Sequence, residues 1–69
     1  MTNPTRLEAG HNNLLAYCTR CPSWRELTWD RPEALRAAAT HVQLVHGNTE
    51  VARTLRERAA SQSRRHAQR

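Results

Sequence analysis

Four residues with metal-ligating side chains stand in an order that leaves this chain few folds to choose from: Cys18, Cys21, His41 and His46. Cys18 and Cys21 flank only Thr19 and Arg20, a gap that lets both thiolates of one turn reach a single ion. His41 and His46 stand near the end of an uninterrupted run of helix-compatible residues. On a regular helix, five positions advance about 7.5 Å along the axis and turn the side chains about 140° apart. Both imidazoles can then meet one ion only if the last turn loosens or tightens, and Gly47, directly after His46, is where a helix can do so. Two thiolates and two imidazoles with no open position describe a closed tetrahedral zinc site, one ion per chain. Such an ion contributes to folding and leaves nowhere for substrate water.

A staple of this kind answers a deficit in the core. The 69 residues include no Phe, and the aromatic residues are Tyr17, Trp24 and Trp29. A chain this short buries only about 60% of the surface that its unfolded form exposes, so it ordinarily needs a metal, a disulfide or a partner. The disulfide is the weaker candidate. Residues 1–13 hold no apolar run, so neither a secretory signal nor a membrane span is expected. The expected location is cytoplasmic, where paired cysteines more often bind metal or do redox chemistry.

Residues 1–13, with Pro4, Gly10 and three Asn, read as a flexible leader with at most one loose turn at 6–9. Residues 14–18 (LLAYC) and 23–29 (SWRELTW) read as two strands of a hairpin around the Cys-Thr-Arg-Cys-Pro turn. A helix over 31–46 is the best-determined element. Asp30 is a good N-cap, Glu33 completes a capping box, Pro32 falls in the first turn and Gly47 supplies the stop. At 100° per residue, Leu35, Ala38, Ala39, Val42, Val45 and His46 share one side with His41 at its margin; Ala37 and Leu44 lie on the far side. Asn48 or Thr49 can cap a second, basic helix reaching to about residue 60, whose stripe Val51, Ala52, Leu55 and Ala59 is narrow. Residues 61–69 have no stripe and read as a disordered basic tail.

The order Cys-x2-Cys, hairpin, helix, His-x4-His resembles the two-cysteine, two-histidine zinc finger with its ββα fold. The resemblance covers residues 17–47, and Tyr17 before Cys18 fits it, as does an apolar residue two turns before the first His. Nineteen residues separate Cys21 from His41, against about twelve in the family. Arg25 stands where the family has an aromatic, with Trp24 one position early. The extra length implies a longer strand and roughly one more helical turn. In its stretched single finger and its Arg- and Ala-rich composition the chain resembles small proteins of actinobacteria and their phages. The expected fold is therefore a small zinc-stapled α+β module (a ββα finger at 14–47) followed by a basic helix.

Other chemistries for these residues fit less well. A thioredoxin-like redox pair at Cys18 and Cys21 lacks the βαβ pattern. Haem attachment would put His where Pro22 stands, and an iron–sulfur site would normally need four Cys. His11 or His66 could replace one helical ligand, though both read more simply as solvated residues. No free nucleophile, paired carboxylates or open metal position can be assembled, so neither an enzyme nor a small-molecule substrate is expected.

Charge points toward a partner. All eleven basic residues are Arg, and the formal net charge is +5. Residues 1–47 carry five Arg against four acids, whereas residues 48–69 carry six against two. The expected role is a small regulatory or accessory factor that binds nucleic acid. Arg53, Arg56, Arg58, Arg64, Arg65 and Arg69 would neutralise phosphates without reading sequence. In DNA-reading fingers the start of the helix enters the major groove. Only Arg31 and Arg36 could contact guanine there, beside the repelling Asp30 and Glu33. Trp24 and Trp29 could stack bases, but packing is expected for at least one of them. The rival reading is a protein adaptor, or a homodimer, using Leu44 and the Val51, Leu55, Ala59 stripe.

Overall fold

A computed structural model describes residues 3–67, with the side chains of 64–67 left undescribed. Strands β1 (Thr5–Ala9), β2 (Leu14–Cys18) and β3 (Arg25–Thr28) form an antiparallel sheet in that order. Helices α1 (Arg31–His46) and α2 (Thr49–Ala67) follow. The architecture is a small α+β fold.

The hairpin forms where the sequence places it, with Leu14 opposite Thr28 and Tyr17 opposite Arg25. The N-terminal segment departs from expectation. Residues 5–9 form a third strand rather than part of a flexible leader, pairing Thr5 with Cys18 and Leu7 with Ala16. The cause is visible in TRLEA, where Thr5, Leu7 and Ala9 alternate with the exposed Arg6 and Glu8 at the period of a strand. The segment is also tied at its start: the Thr19 amide and hydroxyl both donate to the Pro4 carbonyl, at 2.9 and 3.0 Å. That tie joins the first strand to the turn between the cysteines.

Helix α1 begins as its capping residues dictate. The Asp30 side chain accepts from the Glu33 amide at 2.8 Å, and Glu33 reaches back to the Trp29 amide at 3.2 Å. Its buried residues fall into two stripes at helical spacing, Ala34, Ala38 and His41, then Leu35, Ala39 and Val42. Two buried stripes suit a helix with neighbours on two sides, and α1 packs against both the sheet and α2. The main core cluster joins Leu35, Ala38, Ala39 and Val42 of α1 to Ala52, Leu55 and Ala59 of α2, with Leu7 of β1 against it.

Val45 was expected among the buried residues, yet it is 58% exposed. The reason lies in the helix end. Gly47 adopts the left-handed conformation (φ 62°), and its amide donates to the Val42 carbonyl, one residue further back than in a regular helix. Val45 stands in the last turn before this capped end, where it faces solvent. The Asn48 amide also donates to Val42 O, at 3.2 Å.

Asn48 then caps α2, its side chain accepting from the Val51 amide at 3.1 Å. The helix continues to Ala67 instead of ending near residue 60, so the expected disordered tail is helical over 61–67. No Gly or Pro interrupts that stretch, and each further residue adds a backbone hydrogen bond. The side chains of Arg64, Arg65 and His66, and all of Arg69, lie outside the described residues. The Val51, Leu55, Ala59 stripe folds onto α1 of its own chain, with Leu55 and Ala59 buried and Val51 partly so. No helix among the described residues is long and apolar enough to cross a membrane.

Candidate metal centre

Three separate elements deliver the four ligands. β2 ends on Cys18, and two consecutive turns follow: the Cys21 amide donates to Cys18 O at 3.4 Å and the Trp24 amide to Cys21 O at 2.9 Å. These turns bend the chain so that both sulfurs face the last turns of α1. His41 and His46 descend from that helix. The helix closes at Gly47 directly after His46, and the two imidazoles stand edge to face with ring centroids 5.2 Å apart.

Ligand atoms of Cys18, Cys21, His41 and His46 all lie within 4.8 Å of one another. His46 Nε2 stands 3.4 Å from Cys18 Sγ and 3.6 Å from Cys21 Sγ. Bonds of roughly 2.3 Å to sulfur and 2.05 Å to nitrogen put the N···S edge of a zinc tetrahedron at about 3.6 Å. The two His46 spacings are consistent with ligands around one ion. His41 adds a second observation: its Nε2 is buried and has no hydrogen-bond partner. A buried orphan nitrogen is costly unless something occupies its lone pair or takes its proton, and a metal ion would do the former. Both cysteines are free thiols, so a disulfide does not hold this site.

Protonation follows from the surroundings. Burial, and secondarily the neighbouring His46, push His41 below its ordinary value of 6.5, which favours the neutral, ligating imidazole. Burial, then the hydrogen bond and charge of Cys18, push the half-buried Cys21 thiol above its ordinary 9.0. Without an ion the Cys21 thiol resists ionising, and a divalent cation removes that obstacle.

Trp24 completes the site. Its ring lies over His41 with centroids 4.1 Å apart and planes 22° from parallel. This packing role was one of two readings open for Trp24 in the sequence. Trp29, by contrast, is 69% exposed. His11 sits in the β1–β2 turn, at the opposite end of β2 from Cys18, and does not join the cluster.

The residues expected to touch nucleic acid are spread over the surface. Arg31, Arg36, Arg53, Arg56 and Arg58 are exposed, and none of them forms an ion pair with a described residue. Arg56 donates to the Gln43 side chain at 2.6 Å. None of the protein-family models, curated proteins and solved structures compared with this chain matches it.

Proposed function

We propose that this chain is a non-catalytic, zinc-stapled module that binds nucleic acid through exposed arginines, acting as a small regulatory or accessory factor. Zinc is the ion favoured by two thiolates and two imidazoles in a closed tetrahedron, and its role is to hold β2, the cysteine turn and α1 together. The observation that carries the nucleic-acid reading is that Arg53, Arg56 and Arg58 of α2 are exposed and pair with no carboxylate. Unpaired guanidinium groups are suited to phosphates, which they bind in bidentate fashion. Base reading by α1 contributes little, since the exposed Asp30 and Glu33 flank Arg31 at its start. The contact is with the phosphodiester backbone.

A salt series with duplex DNA tests this. Affinity should fall with a log–log slope of about 0.9 per phosphate contacted. Replacing Arg53 and Arg56 by Gln should flatten the slope by up to about two while leaving the metal content unchanged. A flat salt dependence would remove the reading.

A second reading has its own observation. Leu44 is 77% exposed and Val45 58% exposed, and with the half-buried Trp24 they line a groove of about 450 Å³ that also holds Glu26 and Glu33. An apolar groove with an acidic rim suits a basic, amphipathic protein segment. In this adaptor reading Leu44 keeps its expected role, and Leu55 and Ala59 do not.

A further inference from the structure

A second groove, on the other side of α1 from the adaptor groove, is lined by Arg6 of β1, Arg31 of α1 and Arg58 of α2. These residues stand far apart in sequence, and the fold brings them to one depression of about 250 Å³. Its floor is apolar, with Leu35 and Leu55, and Thr5, whose hydroxyl donates to the Asn3 side chain, also lines it. No carboxylate lines it. Asp30, the acid next to Arg31 in sequence, is committed to capping the Glu33 amide. Glu50 lines an adjoining depression together with Arg58 without pairing to it.

Three arginines line one groove, and none of them forms an ion pair with a described residue. Arg6 is anchored, one terminal nitrogen donating to the carbonyls of Asn3 and Thr5 at 2.7 and 2.9 Å. That leaves its remaining donors free to face a ligand. Arg31 and Arg58 make no hydrogen bond or ion pair among the described residues. An oxyanion would satisfy all three, since planar guanidinium forks match the oxygens of a phosphate group.

We infer that the groove between β1, the start of α1 and α2 is a phosphate-binding site held by Arg6, Arg31 and Arg58. This deepens the nucleic-acid reading by assigning one phosphate a seat. The oxyanion chemistry itself does not depend on whether that phosphate belongs to a polynucleotide or to a small free molecule.

Thermal melting of the zinc-loaded full chain in rising inorganic phosphate, against chloride at matched ionic strength, tests the site. The melting temperature should rise saturably in phosphate alone, as for any ligand bound by the folded state. Arg31→Gln and Arg58→Gln should each weaken the fitted phosphate affinity about tenfold. Because both arginines are exposed and form no ion pair with a described residue, both variants should fold and keep their metal, and their melting in chloride should match that of the parent. Glu50→Gln should leave phosphate binding unchanged or tighter. A DNA salt series with the same variants identifies the source: a slope lowered by about one per arginine assigns a polynucleotide phosphate. An unchanged slope with phosphate binding lost assigns a small phosphate-bearing molecule and confirms the site all the same. If DNA does not bind at all while phosphate does, the nucleic-acid reading fails and the site stands. Absence of saturable stabilisation, or equal stabilisation of parent and variants, overturns the inference.

Discussion

Trp24 lies flat over His41, with ring centroids 4.1 Å apart, and so roofs the one ligand whose ring nitrogen is buried and unpartnered. The stack covers one face of the imidazole and holds its plane. Trp24→Ala should therefore weaken zinc binding by roughly 10- to 100-fold, the range typical of groups that orient a metal ligand. Competition against a chromophoric chelator would measure it. Trp29→Ala, which removes an exposed ring, should leave zinc affinity unchanged.

Gly47 is a conformational requirement. Open space surrounds its Cα, with nothing within 4 Å of where a Cβ would stand, so Gly47→Ala meets no clash. The substituted residue must still adopt φ 62°, at a cost of about 1–2 kcal/mol. Asn tolerates that region better, so Gly47→Asn should destabilise less. Melting of the zinc-loaded variants should rank parent, Asn, Ala; an Ala variant as stable as the parent would show that the left-handed helix end is not needed.

Much of the site is legible in the sequence because its signals are local. Asp30, Glu33 and Gly47 bound α1 by capping chemistry, and the Cys-x2-Cys spacing names two ligands outright. The five-residue spacing of His41 and His46 even announces that the helix end must deform. How the helix closes is not legible: the Val42 carbonyl accepts from both Gly47 and Asn48, and Val45 faces solvent. The first strand was missed for a different reason. Its alternation is only five residues long, and what secures it is pairing with β2 and the Pro4 carbonyl taking both donors of Thr19. The length of α2 escaped because 61–67 lacks an apolar stripe, although it also lacks any residue that would stop a helix.

That tie makes the N-terminal segment part of the metal centre's support. Deleting residues 1–9 removes β1, its register with β2 and the anchor beside Cys18. Zinc affinity should fall and the melting temperature of the loaded protein should drop. The single change Thr19→Val, which removes one of the two bonds to Pro4, should cost about 1 kcal/mol. An unchanged melt for the deletion would return residues 1–9 to the status of a leader.

Zinc uptake should be coupled to protons in a defined direction. The raised Cys21 thiol is protonated at neutral pH in the zinc-free state, and the lowered His41 is already neutral. Uptake near pH 7 should release the Cys21 proton and none from His41, and apparent affinity should rise with pH. Calorimetry in buffers of different ionisation enthalpy reads this directly. In zinc-free protein, stability linked to His41 is present above 6.5 and lost as pH falls below it. That linked to Cys21 is present below 9.0 and lost as pH rises. Residual helicity without zinc should accordingly be greatest between those values.

The central claim is that Cys18, Cys21, His41 and His46 hold one structural zinc on which the fold depends. Elemental analysis of the purified chain, combined with helical circular dichroism before and after chelation, tests it most directly. One zinc per chain, helical signal lost with the metal and restored on adding it back, and no zinc in Cys18→Ser or His41→Ala are the expected results. A chain that purifies without metal, or keeps its helical signal through chelation and in Cys18→Ser, would contradict the account.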